Sequence, residues 1–137
     1  MRVDESQMCA VAAQLASKIT MPFVLYLQGD LGAGKTTFAR ALLRALGHSG
    51  TVKSPTYGLL EFYELPAMSV LHLDLYRIEH PEEIEYLGLD DLFNDNTLMI
   101  VEWPEKGAGA LPPSDMVIRF THQGTLRELE FTPPRVP

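Results

Sequence analysis

The chain has 137 residues, 46% of them hydrophobic and 21% charged, which favours one globular domain over residues 1–137. Its formal net charge of −7 argues against broad binding to nucleic-acid phosphates, because such binding needs clustered lysine and arginine. A single cysteine excludes an intramolecular disulfide and disfavours a structural zinc site. The sequence begins without a secretion signal and its apolar runs are too short to cross a bilayer. We therefore expect a cytoplasmic protein with no membrane partner.

The first predicted elements are a helix over residues 4–19 and a strand over residues 23–27. Apolar residues recur every three or four positions along the first segment, and Asp4 with Gln7 fits an N-terminal capping box. The second segment is short, apolar and rich in strand-favouring residues, which is typical of a buried strand.

Residues 29–36, GDLGAGKT, fit the phosphate-binding loop pattern G-x-x-x-x-G-K-[ST]. They stand between the predicted strand and a predicted helix that ends at Gly47, which is the context that the motif requires and which disfavours a chance glycine-rich turn. In such a loop Lys35 contacts the β- and γ-phosphates, and the Thr36 hydroxyl binds Mg²⁺. Backbone amides at a helix N-terminus complete the anion site. The residues expected to supply them are Gly32, Ala33, Gly34, Lys35, Thr36 and Thr37.

The rest of the chain shows no repeat, low-complexity segment or domain linker. It is predicted to contain, in order, a loop at 48–57, a strand hairpin at 58–65 and 68–76, short helices at 82–87 and 89–93, a central strand at 97–101, a loop at 104–113, a closing pair of strands at 116–120 and 126–131, and a loose tail at 133–137.

Two acidic residues, Asp74 and Glu102, directly follow apolar runs that resemble core strands. A phosphate loop requires an acid at a strand end to order Mg²⁺ or the attacking water, and either residue fits. An unpaired carboxylate in such a place is costly, so a metal ion is a natural partner. The alternatives are that Asp74 pairs with Arg77 or caps a turn, and that Glu102 marks the point where its strand leaves the core.

Three further residues have two interpretations each. On a strand, His72 shares a face with Asp74 and can orient it, but a satisfied core histidine fits better because no second histidine or cysteine stands at ligand spacing. Trp103 fits a cover for the site or ordinary packing equally well. Thr56 stands where phosphate-loop GTPases carry a switch threonine, and a plain turn fits equally well.

Four stretches together resemble the bacterial TsaE family, also called the YjeE family, of tRNA threonylcarbamoyladenosine biosynthesis ATPases. They are residues 29–37 (GDLGAGKTT), 52–57 (VKSPTY), 72–77 (HLDLYR) and 101–104 (VEWP). Their order and spacing also fit, and the resemblance covers nearly the whole chain. It implies an α/β fold of the P-loop NTPase type: a three-layer α/β/α sandwich with a mixed, partly antiparallel central sheet.

The resemblance also implies an ATPase with ATP and Mg²⁺ as cofactors, required for the modification of adenosine 37 in tRNA. Such a protein acts on TsaB and TsaD, and meets tRNA only indirectly through that complex. The implied catalytic residues are Lys35, Asp74 and Glu102. The implied metal-binding residues are Thr36, Asp74 and Glu102. Beyond the phosphate loop, the implied nucleotide contacts are Thr56, Trp103 and Arg127.

Two other functions remain open at this point, a small-molecule kinase and a nucleotide-regulated binding module. No arginine-rich lid segment of the kind that such kinases use is evident, and no N-K-x-D segment for reading guanine is present. None of Arg40, Arg44 and Arg77 is an obvious catalytic finger, so we expect slow hydrolysis by the isolated chain.

Overall fold

The computed structural model describes residues 1–30, 32–50 and 59–133. Thr56 and most of the predicted loop at 48–57 lie outside the described residues, as does most of the predicted loose tail. In chain order the elements are β1 (Arg2–Val3), α1 (Glu5–Ala16), β2 (Phe23–Gly29), α2 (Lys35–Ala45), β3 (Leu60–Glu64), β4 (Ser69–Asp74), a 3-10 helix (Pro81–Leu87), α3 (Leu89–Leu92), β5 (Thr97–Glu102), a second 3-10 helix (Pro104–Gly107), β6 (Met116–Gln123) and β7 (Leu126–Thr132).

The described strands form one mixed sheet in the order β1-β7-β6-β2-β5-β4-β3. The central strands β6, β2, β5 and β4 run parallel, whereas β3, β7 and β1 pair antiparallel with their neighbours. Every residue of β5 is buried, as expected for a parallel strand that is covered on both faces. The predicted mixed sheet and the predicted central strand at 97–101 are therefore confirmed.

The parallel strands bring the predicted acids and the glycine-rich loop to one edge of the sheet. Because β2, β4 and β5 run in the same direction, their last residues Gly29, Asp74 and Glu102 lie along the same edge. In the pairing register, Glu102 lies between Leu27 of β2 and Asp74 of β4. The fold thus places two carboxylates beside the start of the loop at 29–36.

Both faces of the sheet are covered, which confirms the predicted three-layer arrangement. On one face α1 and α2 pack through residues such as Met8 and Phe38 against a large apolar cluster. On the other face, short helices supply Ile84 and Leu89, which pack in a second cluster with Leu73. The helices in the described part of the chain are too short or too polar to cross a lipid bilayer.

The predicted hairpins are confirmed, and the structure adds one strand. Strands β3 and β4 pair antiparallel, as do β6 and β7, and β6 also pairs with β2. The added strand β1 consists of two residues that pair with β7, with Val3 opposite Arg127. A strand of this length carries no periodic pattern, so only its tertiary pairing reveals it.

Helix α1 begins where the capping box predicts but ends before residue 19. The Gln7 amide donates to Asp4 Oδ1 at 2.7 Å, and the Asp4 amide donates to Gln7 Oε1 at 2.8 Å. At the other end, the Ser17 hydroxyl donates to the Gln14 carbonyl at 2.7 Å. A serine hydroxyl that donates to a backbone carbonyl in this way competes with the backbone amides for that acceptor. This competition accounts for the end of the helix at Ala16.

The first 3-10 helix is held at its start by Glu83. Its Oε2 accepts the amide protons of Glu79 and His80 at 2.7 and 2.9 Å. The hydrogen bond from His80, followed by that from Glu79, lowers the pKa of the Glu83 carboxyl below its ordinary value of 4.5. A carboxyl whose pKa is lower in the folded state contributes stability above the unfolded pKa, and this contribution is lost as the pH falls through the folded pKa.

We therefore expect Glu83→Ala to lower the Tm at pH 7, and the difference from the unmodified chain to shrink as the pH falls below 4.5. Thermal melts at a series of pH values measure this. The matched control is Glu82→Ala, since Glu82 is an exposed neighbour in the same helix. An equal drop in Tm for the two variants, or a drop that does not depend on pH, would contradict the assignment.

Candidate functional site

The glycine-rich segment at 29–36 connects β2 to α2, as predicted, and its backbone requires glycine. Gly32 and Gly34 have φ values of +76° and +105°, in the left-handed region that other residues rarely adopt. A Cβ atom at Gly29 would lie 2.5 Å from the carbonyl oxygen of Phe120 on β6. The loop can therefore run close to the sheet edge, and helix α2 begins directly after it at Lys35.

The Lys35 ammonium is enclosed by the loop and by an aromatic ring. The residue is only 4% exposed. Its Nζ donates to the Gly29 carbonyl and lies 3.5 Å from the centroid of the Trp103 ring, which is a cation–π contact. Burial lowers the pKa of Lys35, and nearby carboxylates, Glu102 first among them, oppose that shift. Lys35 thus places a positively charged group beside the loop and at the edge of the sheet.

The Glu102 carboxylate links α2 to β4 through a buried chain of hydrogen bonds. Its Oε1 accepts the Thr36 hydroxyl at 3.0 Å, and its Oε2 lies 2.7 Å from Nε2 of His72. Glu102 is 2% exposed and His72 is fully buried. The idea that Glu102 merely marks where its strand leaves the core is therefore wrong, because its side chain lies inside the core with a polar partner on each oxygen.

His72 is a buried, hydrogen-bonded histidine, but the idea that it orients Asp74 is wrong. The two residues share a face of β4, where side chains two positions apart are separated by roughly 6.6 Å along the strand. The short side chain of Asp74 does not bridge that gap, whereas the longer Glu102 on the adjacent strand β5 reaches back to the imidazole. The partner of His72 is therefore the other predicted acid.

Asp74 lies half-buried at the end of β4, beside Glu102. Its Oδ1 accepts the Tyr76 amide at 3.0 Å, so it does hold the following turn. Within the described part of the chain it forms no ion pair with Arg77. Burial raises the pKa of Asp74; the Tyr76 amide opposes this shift and the Glu102 carboxylate adds to it. A cation placed beside Asp74 would therefore favour its charged form.

A cavity of about 450 Å³ opens over this edge of the sheet. It brings together most of the predicted site residues. Those lining it are Lys35, Thr36, Asp74, Glu102, Trp103 and Arg127, with Gly32, Gly34 and Thr37 from the loop. Ala33 is not among the described lining residues, since its side chain is buried in the core and its amide donates to the Asp30 carbonyl at 3.1 Å. Thr56 lies outside the described residues.

Arg127 reaches the loop from β7, on the far side of the cavity from Glu102. Its Nη2 donates to the Gly32 carbonyl at 3.4 Å. Its Nε is buried and has no hydrogen-bond partner among the residues that the structure describes. A buried donor without a partner costs about 1–3 kcal/mol, so an oxygen atom of a bound anion would be a favourable partner here.

Of the described residues that line the cavity, four were not predicted: Glu5, Met8, Tyr76 and Thr125. The centroid of the Tyr76 ring lies 5.1 Å from that of the Trp103 ring. The position of Tyr76, two residues after the predicted site residue Asp74, is the sequence feature that could have identified it. Met8 comes from α1, where its helical spacing indicated only a core residue. Only the packing of α1 over the loop reveals its second role, since its Cε lies 3.1 Å from the position of a Cβ at Gly34.

The oxygen atoms at the sheet edge fit a magnesium ion better than zinc. Thr36, Asp74 and Glu102 offer one hydroxyl and two carboxylates, which are the hard oxygen donors that Mg²⁺ prefers while it keeps several waters. Among the described residues, no three His, Cys, Asp or Glu side chains converge as a metal cluster. Two neighbouring carboxylates with a raised pKa at Asp74 are consistent with a site that a divalent cation would stabilise.

Similar proteins from several bacteria carry the name tRNA threonylcarbamoyladenosine biosynthesis protein TsaE. The chain is 46% identical to the Haemophilus influenzae protein over 107 residues, which cover 78% of this chain and 68% of that protein. It is 36% identical to the Bacillus subtilis protein over 131 residues, which cover 95% and 82%. The match to the Rickettsia prowazekii protein is 43% identical but spans only 57% of that protein's length.

The fold is similar to that of a solved structure, the crystal structure of Bacillus subtilis YdiB, with a TM-score of 0.79 and 31% sequence identity. That match covers 96% of this chain and 82% of YdiB. The sequence model of the family described as "Threonylcarbamoyl adenosine biosynthesis protein TsaE" matches residues 3–129. Because this match includes both the loop and the acids of the site, the chain belongs to the TsaE family of threonylcarbamoyl adenosine biosynthesis proteins.

Proposed function

We propose that this chain is a cytoplasmic, Mg²⁺-dependent ATPase that serves tRNA threonylcarbamoyladenosine biosynthesis by acting on a complex of TsaB and TsaD. The observation that carries the proposal is the position of the buried Glu102 carboxylate, which accepts a hydrogen bond from Thr36 of the glycine-rich loop. A loop that only bound an anion would not need a buried acid beside its hydroxyl, since that acid repels the anion. An acid in this place suits phosphoryl transfer.

The loop and two cations would bind the phosphates. Gly34, Lys35, Thr36 and Thr37 line the cavity, so the amides at the start of α2 would offer their positive ends to an anion there, as at other helix N-termini. Lys35 would exchange the Gly29 carbonyl for phosphate oxygens, and Trp103 would keep its ammonium at the edge of the cavity. Arg127 offers its unpartnered Nε from the opposite side. The site can therefore neutralise much of the charge of a nucleoside triphosphate.

Thr36, Asp74 and Glu102 are the residues that would hold Mg²⁺. When bound, Mg²⁺ would neutralise charge on the transferred phosphoryl group. The Thr36 hydroxyl donates a hydrogen bond to Glu102, which leaves the lone pairs of the hydroxyl oxygen free to bind a metal ion. A carboxylate has about four acceptor positions, so Glu102 can accept from Thr36 and His72 and still accept a proton from an attacking water.

The positions of the arginines in the described part of the chain are a reason to expect slow hydrolysis by the isolated protein. Among the described residues, Arg127 is the arginine that lines the cavity. Its guanidinium contacts the Gly32 carbonyl and is not hydrogen-bonded to Glu102. Arg40 and Arg44 are exposed on α2, and Arg77 is exposed after β4. An arginine supplied by a partner can raise phosphoryl transfer by about 10³–10⁵-fold. A partner-dependent rate is therefore part of the proposal.

We expect ATP hydrolysis by the purified chain to be slow and to rise when TsaB and TsaD are added with Mg²⁺. A phosphate-release assay measures both rates, with EDTA as a control that should abolish the activity and Lys35→Ala as a control that should lower it strongly. Equal rates with and without the partners would contradict the action on the complex but leave an ATPase. No Mg²⁺-dependent hydrolysis under either condition would contradict the proposed activity.

A further inference from the structure

His72 is a fully buried histidine with a single polar contact in the described ranges. Its Nε2 lies 2.7 Å from Oε2 of Glu102. Its Nδ1 is buried and has no hydrogen-bond partner among the residues that the structure describes. Apolar residues such as Val70 and Ile100 flank it on β4 and β5. A polar ring in such a place needs a reason, because it is fully buried and Ile100, its register partner on β5, is apolar.

The pattern of contacts indicates which ring nitrogen of His72 carries the proton. A buried N–H without an acceptor costs more than a bare nitrogen lone pair, because the donor loses a hydrogen bond to water and gains none. The tautomer with the proton on Nε2 avoids this cost, since Nε2 then donates to Glu102 and Nδ1 keeps only its lone pair. His72 therefore acts as a hydrogen-bond donor to the carboxylate.

The two partners of Glu102 hold different oxygens from different elements. Thr36 at the start of α2 donates to Oε1, and His72 in the middle of strand β4 contacts Oε2. One hydrogen bond would leave the plane of a glutamate carboxylate free to rotate about its last torsion, which has a broad energy minimum. Two hydrogen bonds from two rigid elements fix both the position and the orientation of that plane.

We propose that His72 is a positioning residue: its Nε2–H fixes the Glu102 carboxylate in the orientation from which it acts on water or Mg²⁺. This inference rests on the proposed ATPase function, because it gives His72 its effect through Glu102. His72 does not line the cavity and would not touch ATP. Substitution of a residue that hydrogen-bonds to a metal-binding group and orients it typically lowers activity by about 10–100-fold.

The test uses two variants of similar size, of which only one keeps a hydrogen-bond donor at position 72. His72→Leu removes the donor and keeps an apolar side chain in an apolar surrounding. His72→Gln places an amide N–H near the position of Nε2. We expect His72→Leu to lower kcat by about 10–100-fold with little change in the KM for ATP, and His72→Gln to recover most of that loss. The control is His80→Leu, which removes an exposed imidazole that does not line the cavity.

A second measurement needs no nucleotide, metal or partner. Nitrogen-15 NMR of the histidine rings distinguishes the two tautomers, and the comparison with His72→Leu assigns the signal. We expect the His72 ring in the nucleotide-free chain to carry its proton on Nε2. A ring protonated on Nδ1 alone would overturn the inference, because Nε2 would then have no proton to donate to Glu102.

The outcomes separate this inference from the proposed function. If the unmodified chain hydrolyses ATP with TsaB and TsaD and His72→Leu keeps the same kcat, the positioning role is wrong and the ATPase stands. If both variants lose stability equally and His72→Gln recovers no activity, His72 is structural only, and the inference is again wrong. If the unmodified chain shows no hydrolysis, the proposed function fails first, and the tautomer measurement still decides whether His72 donates to Glu102.

Discussion

Lys35→Ala is expected to lower ATP hydrolysis by about 10²–10³-fold, the loss that follows removal of one group that stabilises charge in a transition state. Lys35 lies at the start of α2 with its ammonium beside the Gly29 carbonyl and the Trp103 ring, at the edge of the cavity. No other lysine lines that cavity among the described residues. The phosphates would therefore lose their nearest cation, and we expect ATP binding to weaken as well.

The same residue gives a prediction on stability with the opposite sign. Burial lowers the pKa of Lys35 from its ordinary value of 10.5. Between the folded and the unfolded pKa the unfolded chain binds more protons, so stability rises with pH in that window, and below it the buried ammonium is a cost. Lys35→Met removes this cost. We expect its Tm at pH 7 without nucleotide to be equal to or above that of the unmodified chain, although the variant no longer responds to ATP.

Thermal melts with and without Mg²⁺ and ATP, together with the phosphate-release assay, measure both effects. Lys18→Met is the matched control, because Lys18 is exposed after α1 and does not line the cavity. This control should keep both the hydrolysis rate and the ATP-induced rise in Tm. Unchanged hydrolysis in Lys35→Ala would remove the basis for placing the phosphates in this loop.

Glu102→Gln is expected to retain ATP binding and to lose about 10²–10⁴-fold in hydrolysis, the range for loss of a general base. The amide has nearly the same shape as the carboxylate. It can accept from one neighbour and donate to the Thr36 hydroxyl, so the buried hydrogen bonds at the end of β5 can be kept. What the variant loses is the negative charge and the ability to take a proton from water.

Binding and turnover can be measured separately in this variant. The single tryptophan of the chain, Trp103, lies 3.5 Å from the Lys35 ammonium and should report nucleotide binding by a change in fluorescence. Glu130→Gln, an exposed glutamate on β7, is the control and should leave both quantities unchanged. Hydrolysis at the normal rate in Glu102→Gln would contradict the role of this carboxylate.

The same variant also tests whether turnover is needed at all. If Glu102→Gln binds ATP, does not hydrolyse it and still supports tRNA modification with TsaB and TsaD, the chain acts as a nucleotide-regulated binding module. If the modification stops, hydrolysis itself is required. The comparison with Lys35→Ala, which should lose both binding and turnover, separates these two outcomes from a simple failure to bind nucleotide.

The features that the sequence by itself determined are local. The loop at 29–36, the capping box at Asp4, the central strand at 97–101 and both hairpins were predicted, because each depends on neighbouring residues: glycine conformation, side-chain spacing or an apolar run. Asp74 and Glu102 were found in the same way, as acids directly after apolar strands. Their meeting at one edge of the sheet also follows from strand direction, once β4 and β5 are known to run parallel.

Only the tertiary structure decided which partner each polar side chain has. His72 and Glu102 are 30 positions apart, and Arg127 is 95 positions from the carbonyl of Gly32 that it contacts. His72 had two possible partners by strand geometry, and the choice of Glu102 over Asp74 depends on side-chain length across β4 and β5. The position of Met8 over Gly34 likewise depends on how α1 packs. Spacing along one element sets which face a side chain occupies, but the contact it makes depends on the register and packing of another element.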